Sequence, residues 1–178
     1  MIIGIDPGMK GGIAVLGEEG GRMVFADGMR MPLIDRGKRQ IVDAKVIHAL
    51  LSRYAIEAII IELTHAMPGQ GVSSTFAFGH ATGVATGVAY LHTPRPISVT
   101  PQMWKAHFCL GRDKHKSLAM ARATFAPHFQ FSKLADDGVA EAALIALWYH
   151  DTKTDTEGHD RETPDRKASC RERVSSPV

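Results

Sequence analysis

The pattern of apolar positions opens with three short stretches, Ile2–Ile5, Gly12–Leu16 and Arg22–Ala26. The turn sequence GEEGG divides the last two. Connections this short predict consecutive antiparallel strands. The spacing then changes. From Ile41 to Tyr54, residues Ile47, Leu50, Leu51 and Tyr54 fall on one face, which predicts a helix. Ala58–Ile61 reads as a buried strand ending in a carboxylate, Glu62. The loop LTHAMPGQG follows, and then Val72 to Leu91, a helix rich in Ala, Gly and Thr and suited to close packing. Ile97–Val99 predicts a further strand. TPQMWKAHF predicts a helical turn with Pro101 at its first position. Helices are expected over Ser117 to Phe125 and Gly138 to Tyr149; in the second, Ala140, Ala143, Leu144, Leu147 and Trp148 keep the 3.6-residue spacing.

Three strands in a meander, followed by strands alternating with helices, predict an α/β fold: a mixed sheet covered by helices on both faces. From Asp151 the chain holds almost no large apolar residue. Such a segment cannot bury enough surface to offset its ordering entropy. The expected organisation is one domain over 1–150 and a polar, disordered tail over 151–178.

Composition narrows the functional classes little. The 178 residues suffice for one domain with a core, and 44% hydrophobic with 22% charged content excludes a fibrous or wholly disordered chain. The net charge is only +2, so local charge has to identify partners. Cys109 and Cys170 form no CxxC pair or framework. No export leader and no membrane-length apolar run is visible. A cytoplasmic location, in a bacterial or phage-infected cell, is expected.

Asp6 and Glu62 each end an Ile-rich run that reads as a central strand. On neighbouring strands their carboxylates would lie side by side and repel, and a divalent cation would remove that penalty. Oxygen-only ligands suit Mg²⁺ or Mn²⁺. A third acidic contributor lies in KLADDGVAEAALIAL, where Asp137 and Glu141 are four apart on one helix ridge. Glu141 falls at the edge of the apolar stripe, a costly place for a carboxylate without a cationic partner. Asp-Pro-Gly is also ordinary turn chemistry, and Asp136 or Asp137 equally suits a helix N-terminus. Together, these acids would hold two ions able to activate a water and stabilise a leaving oxygen in phosphodiester hydrolysis.

The stretches IIGIDPGMKGGIAVL, IIIELTHAMPGQGVSSTFAFGHATGVATG, VTPQMWKAHF, KHKSLAMARATF and DDGVAEAALIALW, in this order, resemble the RuvC family of Holliday-junction resolvases, within the ribonuclease-H-like superfamily. The phage-type branch is the most similar. The resemblance implies a five-stranded mixed sheet with the first three strands antiparallel. It implies a Mg²⁺- or Mn²⁺-dependent endonuclease of DNA recombination and repair, with two ions per active site, that nicks four-way junctions symmetrically and leaves 5′-phosphate and 3′-hydroxyl ends. Asp6 and Glu62 would be the first two ligands, and Glu141 the last. The family usually spaces its final two acids three apart, so either Asp136 or Asp137 would accompany Glu141. Two symmetric nicks require a homodimer, and a branch-migration motor is a further conceivable partner. The helix carrying Gly79, Gly83 and Gly87 is the candidate dimer face, although the same spacing serves packing on the protein's own sheet.

Between Arg95 and Lys133 stand seven Lys or Arg and one acid, Asp113. This excess suits a phosphate backbone, or simply a solvated helix face. By resemblance Lys105 and Lys116 would lie near the scissile phosphate, with Lys114 and Arg112 as neighbouring DNA contacts. Arg36, Lys38 and Arg39, in RGKRQ, would grip a DNA arm or keep a loop soluble. In the loop after Glu62, Met67, Gln70 and Ser73 are candidates to meet bases, as is Phe76, although Phe76 and Phe78 are expected mainly to anchor their helix in the core. His65, His80 and His107 show no ligand spacing. His115, beside the lysines, is a candidate phosphate contact. Two rival readings are an actin-like or sugar-kinase-type ATP-binding domain and a non-catalytic junction-binding protein. The first needs a second comparable domain and phosphate hairpin, for which the chain has no room.

Overall fold

The computed structural model describes residues 1–37, 39–63, 65, 69–111, 114–128, 133 and 136–157. The expected contacts of Lys38, Met67, Arg112 and the Lys114 side chain lie outside these residues, as does the tail from 158. Seven strands and five helices are described: β1 (Ile2–Asp6), β2 (Gly12–Glu19), β3 (Arg22–Arg30), β4 (Leu33–Arg36), β5 (Arg39–Val42), α1 (Ala44–Leu51), β6 (Ala58–Glu62), α2 (Val72–His92), β7 (Ile97–Val99), α3 (Pro101–His107), α4 (Lys114–Phe125) and α5 (Asp137–Glu157).

Five strands form one sheet in the order β3-β2-β1-β6-β7. β1–β2 and β2–β3 pair antiparallel, and β1–β6 and β6–β7 pair parallel, which is the mixed sheet expected. β1 and β6 lie between neighbours and under helices on both sides, so up to their terminal carboxylates both are apolar rather than alternating. Alternation instead sorts their residues between two cores. Ile3, Ile5, Ile13, Val15, Ile59 and Ile61 face residues of α1 and α2. Ile2, Ala14, Leu16, Ala58 and Ile60 face residues of α3, α4 and α5.

α5 sits closest to the sheet, and three glycines allow it. A methyl at Gly4 of β1 would overlap the Ala142 carbonyl oxygen and stand 3.0 Å from the Ala146 nitrogen. Gly12 meets the backbone of Val139 in the same way, and Gly11 forms a parallel bridge with Gly138.

Several boundaries differ from the sequence reading. The predicted helix from Ile41 begins at Ala44, because the Asp43 carboxylate caps it, accepting from Lys45 N at 2.9 Å. Ile41 and Val42 belong instead to β5, which pairs with β4 in a separate two-stranded sheet. Arg36 and Arg39 face each other at the tip of this hairpin, where Gly37 takes a positive φ of 65°. α5 continues through Glu157, beyond the expected boundary at 150. Its extension is tied down by Asp151 to His107 (2.9 Å) and by Lys153 to Glu57 (2.7 Å). Phe76 is exposed, contrary to the expected core role. Cys170 lies outside the described residues. Among the described residues no helix is long and apolar enough to cross a membrane.

Candidate active site

The parallel pairing of β1 with β6 matches Ile5 with Ile61, so the next residues, Asp6 and Glu62, stand beside each other at the same end of adjacent strands. Both follow residues that point towards α1 and α2, and strand side chains alternate. Both carboxylates therefore point to the opposite face, where α5 lies.

Asp6 is wrapped by its own turn. Gly8 N reaches Asp6 Oδ1 at 3.4 Å, and a methyl at Gly11 would stand 2.8 Å from Asp6 Cγ. The bridge from Gly11 to Gly138 sets the first turn of α5 against this turn. Asp137 is thereby brought to the Asp6 side of the site, its Oδ1 accepting from Gly138 N at 2.9 Å.

One turn further along α5, Glu141 is buried, 7% exposed. Its Oε1 accepts from Lys105 Nζ at 2.9 Å and from Ser117 Oγ at 3.2 Å. Glu62 is equally buried, and its Oε1 accepts from Trp104 Nε1 at 2.8 Å. Consecutive residues of α3 thus reach two carboxylates that arrive from different elements. α3 itself starts where Thr100 caps it and Pro101 supplies a first residue that needs no N–H partner.

Asp136 is differently engaged. Its Oδ1 accepts from Arg30 Nε at 2.8 Å and from the terminal guanidinium nitrogen at 2.5 Å, and its Oδ2 accepts from Lys133 N at 3.0 Å. The pair clasps the end of β3 to the start of α5. Of the two aspartates left open by the sequence, this one carries a structural ion pair.

The remaining predicted residues scatter more widely. Lys116 is exposed on α4, next to the buried Ser117. Gln70 and Ser73 are exposed around the start of α2, and Arg36 and Arg39 are exposed on the hairpin. His115 is exposed on α4, and His107 is turned to Asp151. Arg30, Trp104 and Ser117 were not anticipated. The one legible sign was a tryptophan immediately before the candidate lysine.

The donor chemistry fits a hard divalent cation: Asp6, Glu62, Asp137 and Glu141 offer only oxygen. Lys105 already places a positive charge against Glu141, a direct sign that this carboxylate takes a cationic partner. Among the described residues, however, no three His, Cys, Asp or Glu side chains are drawn together as a closed ion-binding group. Each carboxylate described here has at least one protein donor within hydrogen-bonding distance.

No family model matches the sequence, and no curated protein does. Solved structures do. A Thermus thermophilus RuvC in complex with a Holliday junction substrate superposes with a TM-score of 0.61 at 19% identity, covering 86% of this chain and 98% of that one. A second Thermus thermophilus RuvC structure gives a TM-score of 0.54 at 21% identity over the same shares. The chain shares the RuvC-like, ribonuclease-H-like fold.

Proposed function

We propose that this protein is a structure-selective DNA endonuclease that resolves Holliday junctions, leaving 5′-phosphate and 3′-hydroxyl ends. The observation that carries the reading is the meeting of Asp6 and Glu62 on neighbouring strands, on the face where α5 presents Glu141. The RuvC-like fold, seen elsewhere in a protein bound to such a junction, supports the substrate.

In this reading Asp6, Glu62, Asp137 and Glu141 would hold Mg²⁺ or Mn²⁺. When bound, the ions supply an acidified water and stabilise charge on the leaving oxygen. The protein's own residues do the rest. The paired strand ends fix Asp6 and Glu62, and α5, seated on Gly4, fixes Glu141. Lys105, beside Glu141, neutralises charge developing on the scissile phosphate. Lys116, with Lys114 and Arg112 near it in the chain, would contact the DNA backbone. Gln70, Ser73 and Met67 would meet the junction centre. Arg36, Lys38 and Arg39 hold an arm.

The enzyme acts as a homodimer, pairing two sites for two nicks. Gly79, Gly83 and Gly87 lie on an exposed stripe of α2, with no other group within 4 Å of an added methyl. Val72, Phe76, Tyr90 and Leu91, all exposed, extend this stripe at both ends. A second copy packed there would cover it.

The test is incubation of the full chain with labelled four-way junction, linear duplex and ATP, with Mg²⁺ or EDTA. Symmetric nicking of the junction that EDTA abolishes is expected. Junction binding without nicking would leave a non-catalytic binder, and ATP hydrolysis without nicking would favour the ATPase class.

A further inference from the structure

We propose that Trp104 is a positioning residue whose indole N–H orients the Glu62 carboxylate for a divalent cation. The inference rests on the reading of Glu62 as a cation ligand and adds what holds that ligand in place. Trp104 is fully buried, and its Nε1 donates to Glu62 Oε1 at 2.8 Å. Indole is a donor only, and a buried one must find an acceptor. As a filler of the core, a phenylalanine would serve as well and would leave no N–H to satisfy. The tryptophan brings a donor to the wall where Glu62 ends β6.

The donor that α3 brings to Glu62 is of another kind than the charged partners of Asp136 and Glu141. Asp136 is paired with a guanidinium and Glu141 with an ammonium, and each partner cancels charge. The donor that α3 gives Glu62 is neutral, so this bond holds one oxygen in place without itself cancelling the carboxylate's charge. A carboxylate held in this way is pre-oriented and still attracts a cation. Lys105 Nζ stands 4.9 Å from the Trp104 ring centre, so the same indole face also steadies the ammonium that reaches Glu141. Partners of this type tune ligands without touching the ion.

The chain holds two tryptophans, Trp104 and Trp148, so the indole N–H signals of the ¹⁵N-labelled full chain are few and assignable. Titration with Mg²⁺ is expected to move the Trp104 signal along a saturating curve, and Glu62→Gln is expected to abolish the movement. Trp104→Phe keeps the ring volume and removes the donor. It should lower Mg²⁺ affinity about 10–100-fold and slow junction cleavage at limiting Mg²⁺, with junction affinity unchanged and excess Mg²⁺ restoring the rate. A Trp104→Phe protein that only melts earlier, with Mg²⁺ affinity unchanged, overturns the proposal. Should that variant not fold, a Trp104 signal indifferent to Mg²⁺ in the parent overturns it alone. A signal that follows Mg²⁺ in a protein that cuts no junction would sink the nuclease reading and leave this inference standing.

Discussion

Replacing Gly4 by alanine tests how α5 is seated. The added methyl would overlap the Ala142 carbonyl oxygen and stand 2.9 Å from its carbon and 3.0 Å from Ala146 N. All three are helix backbone, so no side chain can swing aside. Restoring ordinary contact, at about 3.5 Å, requires α5 to lift by roughly 1.5–2 Å. Overpacking costs about 1–3 kcal/mol, and a clash between backbones belongs at the upper end. For a chain of this size that is a fall in Tm of roughly 6–12 °C, taking about 3 kcal/mol at 2–4 °C each. Glu141 is the residue before Ala142 and must move with it, and a 1 Å misplacement at a reacting centre costs about 10²-fold in rate. Melting by circular dichroism, with junction cleavage at 25 °C, reads both effects. Gly111→Ala is the control, since nothing lies within 4 Å of an added methyl there. A Gly4→Ala protein that melts and cleaves like this control would refute the seating of α5 on β1.

Four further outcomes are expected. Asp6→Asn and Glu62→Gln should each abolish cleavage in a gel assay while junction binding persists; Asp136→Asn should retain most cleavage but lower Tm, since it loosens the clasp with Arg30. The His92 pKa is lowered from 6.5 by burial and then by His48, whose Nδ1 stands 2.9 Å from His92 Nε2. The unfolded chain therefore takes up this proton first, so stability should fall as pH drops through 6.5 and level off below the native value, and His92→Gln should flatten that slope in urea titrations. Gly83→Leu, at a position where an added Cβ meets nothing within 4 Å in the protomer, should turn a dimer into a monomer by light scattering.

Much of the site was legible because it depends on the backbone. Two Ile-rich runs separated by a helix become parallel neighbours, and their terminal acids then share an end by register alone. What escaped depends on contacts between residues far apart in the chain. Arg30 meets Asp136 across 106 positions, and Trp104 meets Glu62 across 42. No periodicity encodes such pairs. The hairpin of β4 and β5 was missed because Ile41 and Val42 also fit a helical face. Asp43, an N-cap residue, was the signal that should have ended that reading. The extension of α5 to Glu157 is polar, and its ties to His107 and Glu57 come from other elements.

Because neighbouring residues of α3 serve separate carboxylates, the phase of that helix is a shared lock. Each residue inserted or deleted between Pro101 and Trp104 turns the helix by about 100° and swings both partners away together. Between Pro101 and Trp104 composition is free to drift, but length is not, and a chimaera that exchanges this segment must preserve its count as well as Trp104 and Lys105.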